Sequence, residues 1–373
     1  MEFTYQLTKK QVFFQKNIDR FVRQEISPRA REIDRSLEFP HDVLEQLAGN
    51  HLLGLPVSKE AGGEGAGFLD VCLALEGIAQ VCPTSALICS VQNLGAHLVA
   101  TAGTPAQKEK YLRDILEGVA LFGYDLPDTL SLHPGHVMVS ASQEGEGYQL
   151  HGPGCFVMNG DMSKVIRFFA KREEEVLVFL VERETRGLEV VQSELLEGSE
   201  ARCTCKAVLN SCFVPSDNLM GNGAGGKEIM DNQVACASIF TAARSLGSSQ
   251  GALDYAVEYA KQREQFGLPI GKFQAVQVLL ADMEVKVEAS RHLVYKAASV
   301  LDQKGRESKR FSSMARYFVS KMAGEVTADA VQIGGAYGYT RDYPLEKFMR
   351  NAQLSQVLEG TNHAHQLAYV KTR

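Results

Sequence analysis

The apolar residues of this chain keep one rhythm at both ends and another in the middle, and that double change limits the folds open to it more than any single motif. Between Lys9 and Ala48, residues Val12, Phe13, Ile18, Phe21, Val22, Ile26, Val43, Leu44 and Leu47 recur at three- and four-residue intervals, the period of a helix with one buried face. Pro28 and Pro40 divide this stretch into at least two helices. Beyond the Gly-rich loop Ala61 to Gly67, Ala- and Leu-rich segments run to about Gly118, with Thr104-Pro105 marking a capped helix start. From about Leu121 to Pro215 the texture becomes short apolar runs: Val137 to Ala141, Gly147 to Gly152, Ile166 to Ala170, Val176 to Val181 and Leu188 to Val191. Gly or charged turns separate them and no helix-length segment intervenes, so an all-β module is expected. Helical spacing returns after Lys227, over 238–263, 273–304, 308–333 and 344–351. The expectation is an α+β multi-domain chain: an N-terminal helical domain at 1–120, a middle β domain at 121–225 and a C-terminal helical domain at 226–373.

Composition narrows the function. With a net charge of -6 the chain has no basic footprint for nucleic acid or anionic lipid. Of eight cysteines only Cys203-Thr-Cys205 are closely spaced, which suits neither a zinc site nor a disulfide framework, and reduced thiols in the cytoplasm are expected. Met1 leads into a polar amphipathic stretch, and the longest apolar region, Val71 to Ala100, is broken by Glu76 and Pro83, so neither export nor membrane insertion is expected. His363 and His365, two apart on a helix, face different ways and make no metal pair.

Two motif matches fail on context. Gly221-Asn-Gly-Ala-Gly-Gly226 has dinucleotide-loop spacing but no βαβ unit around it. Gly247-Ser-Ser-Gln-Gly251 has the spacing of a nucleophile elbow but lies within a helical pattern, where small residues serve close helix packing. The run Lys171-Arg-Glu-Glu-Glu175 is a solvated turn between strands.

Two C-terminal stretches carry more information. Gln332-Ile-Gly-Gly-Ala-Tyr-Gly-Tyr leads to Arg350 and then to Val357-Leu-Glu359-Gly-Thr-Asn, a Gly-rich turn followed by a lone carboxylate in an apolar setting. Upstream stands Arg263-Glu-Gln-Phe-Gly-Leu-Pro-Ile-Gly-Lys-Phe-Gln274. Both resemble signatures of the acyl-CoA dehydrogenase family. The resemblance implies a middle β-barrel, a C-terminal four-helix bundle, a tetramer, FAD as cofactor, and dehydrogenation beside the carbonyl of an acyl thioester. It casts Glu359 as the base that removes the α-proton, a role suited to a carboxylate desolvated against apolar surface. It carries Arg263 to the pyrophosphate of a neighbouring subunit's FAD, Phe266 and Gln274 alongside, and Gln332 and Gly335 to the adenine end. Thr361, with His363 in the place of a usual amide or carboxylate, would meet the flavin of its own subunit; Ser131 and Gly360 would contact substrate. An electron-transferring flavoprotein is the implied partner.

The middle module departs from the family pattern. Asp125 takes the place of a hydroxyl residue, with only Pro127 and Ser131 retained nearby. Phe156, in Gly152-Pro-Gly-Cys-Phe-Val-Met-Asn159, replaces a Trp, and the chain has no Trp at all. The segment 197–202 lacks the usual Gly-x-Arg pattern, and Ser238 stands where a substrate-binding Arg is common. An anionic Asp125 at the flavin would make its reduction harder. Two alternatives therefore stand beside dehydrogenation: a non-catalytic or non-redox subunit of a mixed tetramer, and altered flavin chemistry such as hydroxylation or β-elimination.

Overall fold

In the computed structural model the described residues are 7–36, 39–126, 137–192, 203–223, 225–303 and 307–372. Helices α1 (Lys9–Phe21), α2 (Ala30–Arg35), α3 (His41–Gly49), α4 (Phe68–Ala79), α5 (Pro83–Ala102), α6 (Pro105–Gln107) and α7 (Arg113–Leu116) form the first third. Thr8 and Thr104 each close a capping box with a glutamine three residues on, and Pro83 opens α5 where its missing N–H costs nothing. The helix α5 is buried along nearly its whole length, and its two amides act as fasteners. Asn93 accepts from the Leu55 N–H at 2.7 Å; Gln92 accepts from the Phe122 N–H at 2.7 Å and donates to the Ala120 carbonyl at 3.0 Å. Gln92 thereby fixes the entry of the chain into the sheet.

That sheet holds β1 (Phe122–Asp125), β2 (Val139–Glu144), β3 (Gly147–Met158), β4 (Val165–Arg172), β5 (Glu175–Glu182), β6 (Leu188–Gln192) and β7 (Thr204–Pro215). Its register has one informative feature. Strand β1 runs parallel to β4 (Tyr124 opposite Arg167) and antiparallel to β3 (Asp125 opposite Val157); β2 makes the same two pairings further along (Val139 opposite Ala170, Ser140 opposite His151). The strands β1 and β2 are thus successive occupants of one lane between β3 and β4, and Asp125 sits where the lane is interrupted.

The C-terminal part consists of α8 (Gly226–Gln262), the hairpin β8 (Glu264–Gln265) and β9 (Leu268–Pro269), α9 (Gln274–Asp302), α10 (Ser308–Gly338), α11 (Leu345–Ser355) and α12 (Asn362–Lys371). The helices α8 and α4 approach so closely that a Cβ added at Gly247 would run into the Glu76 carbonyl oxygen, and one at Gly251 into that of Gln80. The Gly-Ser-Ser-Gln-Gly stretch is a packing seam, as its helical context predicts.

Several boundaries differ from the sequence reading. Helix α8 begins at Gly226 rather than Ser238, and Gln332 to Gly338 are the last turns of α10 rather than a separate turn, interrupted only at Gly335 (φ 57°, ψ -139°). That conformation belongs to glycine. The strand β1 was not anticipated, and α12 only as the helix that carries His363 and His365. Among the described residues no helix is long and apolar enough to cross a membrane, no cluster suits a metal ion, and none of the eight cysteines is in a disulfide.

Candidate active site

Glu359 lies in the turn between α11 and α12, with a left-handed backbone (φ 59°) followed by Gly360 (φ 98°). A non-glycine residue in that conformation costs on the order of 1–3 kcal/mol and persists where its surroundings hold it. Here they do. Arg316, fully buried in α10, donates to the Leu358 carbonyl at 2.6 Å and also to that of Ser355. Ser320 donates to the Asn362 side chain at 2.6 Å, and Thr361 caps α12 by accepting from the Ala364 N–H at 3.2 Å. The His365 Nε2 lies 3.2 Å from the Glu359 carbonyl oxygen. Burial, reinforced by the Arg316 charge, pushes His365 down to about 3, so the ring is neutral and its Nε2–H donates to that carbonyl.

The Glu359 side chain is 6% exposed, and its surroundings are more polar than the sequence suggested. Val357, expected to pack beside it, is 43% exposed. Instead the Tyr124 hydroxyl, from β1, donates to Oε1, and the Thr241 hydroxyl, from α8, donates to Oε2. One turn along α8, Arg244 places Nη2 2.9 Å from the Thr241 hydroxyl and 3.5 Å from Oε2. Burial foremost, then the Glu359 charge, holds the Tyr124 phenol well above its ordinary range, so it remains a donor.

Asp125 is buried beside this cluster, and the expected uncompensated anion is absent. Arg167 meets Asp125 Oδ1 at 2.8 Å and the Asp125 carbonyl at 2.6 Å, while the Phe169 N–H donates to Oδ2 at 3.1 Å. Burial raises the Asp125 carboxyl while Arg167 opposes that rise. The guanidinium also stacks 3.8 Å from the Phe169 ring centre and 5.1 Å from that of Tyr124. Arg167 thus sets a positive charge against the Asp125 carboxylate, which the sequence alone left without a partner. Phe156, half-buried on the neighbouring strand, accepts from the Leu126 N–H at 2.7 Å through its carbonyl.

The other expected cofactor residues collect elsewhere. Arg263 precedes the β8–β9 hairpin and Phe266 lies in its turn, Gln274 begins α9, and Gln332 and Gly335 lie near the end of α10; all five are exposed, Phe266 at 94%. Arg263 stands 5.6 Å from the Tyr337 ring centre, which brings the hairpin and the end of α10 onto one rim. A Cβ at Gly335 would meet nothing within 4 Å. Gly335 lies nineteen residues beyond Arg316 on α10, about 28 Å at 1.5 Å per residue, so the rim is remote from the Glu359 turn. His363 is exposed and apart from the Glu359 cluster, whereas Gly360 is within its turn. Ser131 lies outside the described residues, as do Pro127 and 197–202.

Sequence reasoning missed Tyr124, Thr241, Arg244, Arg167, Arg316 and His365. A signal existed for two of them. Arg167 interrupts the apolar run Val165-Ile-Arg-Phe-Phe-Ala, and Arg244 sits among small residues in Thr241-Ala-Ala-Arg-Ser, positions where a charge must find a buried partner.

The chain is similar to known proteins over nearly its whole length. Residues 8–119 match the family model for the acyl-CoA dehydrogenase N-terminal domain, and residues 224–371 that for the acyl-CoA dehydrogenase C-terminal domain. The chain is 34% identical over 372 residues to an acyl-CoA dehydrogenase of Bacillus subtilis (strain 168), covering 98% of each chain. Its fold superposes on butyryl-CoA dehydrogenase from Megasphaera elsdenii with a TM-score of 0.90 at 31% identity, covering 100% of this chain and 99% of the other. A chain solved in work on the electron transferring flavoprotein of Acidaminococcus fermentans gives 0.92 at 32% identity, covering 99% of each.

Proposed function

Because this chain belongs to the acyl-CoA dehydrogenase family, we propose that it oxidises the α,β bond of an acyl thioester with Glu359 as the base. The observation that carries this is the Glu359 turn itself: a buried carboxylate on a left-handed backbone that Arg316, His365 and Asn362 hold in place. Maintaining such a conformation is costly, and a surface glutamate gains nothing from it.

The cofactor is FAD, and the residues present suit it. Arg263, Gln274 and Gln332 are exposed polar groups on one rim, and open space beside Gly335 lets a ligand approach the backbone. These would hold the pyrophosphate and adenine end, with Phe266 alongside; Thr361, His363, Phe156 and the region of Asp125 would serve the ring end. When bound, FAD supplies the acceptor for the β-hydride. The protein's own share is to take the α-proton onto Glu359 and to shield that carboxylate from water.

The separation of rim and base favours a site completed by a second copy, one chain lending Arg263, Gln274 and Gln332 to a flavin that meets its neighbour's Glu359. A homotetramer satisfies this, and so does a mixed tetramer with a related subunit. The intact Glu359 cluster favours a catalytic role over a purely structural one. An electron-transferring flavoprotein suits the part of electron acceptor, supported by the likeness to the Acidaminococcus chain. A cytoplasmic location, supported by eight cysteines that form no disulfide, and domain limits at 120 and 225 belong to the same reading.

The test is anaerobic titration of the FAD-loaded protein with short-, medium- and long-chain acyl-CoA thioesters, following the visible absorption. Bleaching by at least one is expected. Full FAD occupancy without bleaching by any would overturn the dehydrogenase reading.

A further inference from the structure

We propose that Tyr124 is a latch on Glu359: in the resting site its phenol covers the carboxylate oxygen that must meet the substrate's α-proton, and a thioester binds productively by displacing it. The inference rests on the reading of Glu359 as the base and assigns a role to a residue on the opposite side of the site.

The two carboxylate oxygens are held unequally. Oε2 is served from α8, where Thr241 and Arg244 are bonded to each other at 2.9 Å and ride on one 37-residue helix. Oε1 has Tyr124 as its hydrogen-bond donor, a side chain arriving from the short strand β1. A base and the proton it takes must come within hydrogen-bond reach, and with the Glu359 side chain only 6% exposed a group that covers it has to move. The single contact from β1 is easier to release than the doubled one from a rigid helix. Releasing Tyr124 uncovers Oε1 at the moment substrate arrives. The proton then passes from the α-carbon to Oε1, and Tyr124 neither gains nor loses one.

The remaining charged groups around the pair have their own partners. Arg167 on β4 bonds Asp125, Arg316 on α10 bonds the Ser355 and Leu358 carbonyls, and neutral His365 on α12 bonds the Glu359 carbonyl, while Arg244 faces Oε2 itself. The Tyr124 ring lies 5.1 Å from the Arg167 guanidinium, a contact that phenylalanine keeps, which makes Tyr124→Phe a mild substitution.

The experiment uses the FAD-loaded protein as wild type, Tyr124→Phe, Thr241→Val and Glu359→Gln. Without substrate, the infrared carboxylate band identified by its loss in Glu359→Gln should move in Tyr124→Phe. In thioester titrations, Tyr124→Phe should lower the half-saturating concentration about tenfold, the equivalent of one hydrogen bond to a charged group. Thr241→Val, which leaves the Tyr124 contact in place, should not tighten half-saturation. An unmoved infrared band, or half-saturation unchanged or raised in Tyr124→Phe, overturns the latch. If no thioester bleaches the wild type, the dehydrogenase reading fails and the latch with it, while the infrared band still decides whether Tyr124 engages Glu359.

Discussion

At the scale of single residues, polar groups are neutralised in pairs before they meet any ligand. Asp125 and Arg167 form one such unit, buried side by side, and breaking it would strand a charge in the interior. His365 offers a measurable consequence. Folding lowers it to about 3 from an unfolded value of about 6.5, so between those limits the unfolded chain binds a proton that the folded chain does not. Its contribution is complete above pH 6.5 and is lost as pH falls toward 3, with a slope approaching about 1.4 kcal/mol per pH unit. Urea midpoints measured from pH 7 to pH 4 should therefore fall less in His365→Gln than in the wild type; parallel curves would contradict this. Glu359 was legible because it stands in a recognisable string of neighbours. Its partners were not, since Tyr124 is 235 positions away and Thr241 118, and nothing local in a sequence reports such a meeting.

At the scale of elements, periodicity revealed what has one buried face and failed where burial is all-round or slight. The strands β4 and β5, buried on both faces, stood out by their length as apolar runs, but β1 is buried throughout and only four residues long, so neither alternation nor length marks it. The helix α12 carries no apolar period for the opposite reason: among its residues only Ala364 and His365 are buried. The packing of α8 on α4 depends on the missing side chain at Gly247, where any Cβ collides with the Glu76 carbonyl. Gly247→Val should destabilise the protein by about 1–3 kcal/mol in urea unfolding, as overpacked cores do. A midpoint unchanged from wild type would show that the two helices separate freely.

At the scale of the whole molecule, the exposed rim near Arg263 and the buried Glu359 lie at separate places on one chain, and the function proposed above joins them across two copies. That proposed pairing comes from family resemblance, because composition and rhythm reveal nothing about a neighbour. It predicts complementation. Arg263→Ala and Glu359→Gln, each inactive alone, should recover activity when dissociated and reassembled together, since one mixed site regains both intact halves. No recovery in verified mixed assemblies would mean that each chain completes its own site. The central claim, that Glu359 takes the α-proton, is tested most directly without any redox step. The measurement is deuterium wash-in from D2O at the α-carbon of a thioester analogue that cannot be oxidised at its β-carbon. The account predicts that the wild type catalyses the exchange and that Glu359→Gln slows it by about 10²–10⁴-fold. Exchange at the wild-type rate in Glu359→Gln would contradict it.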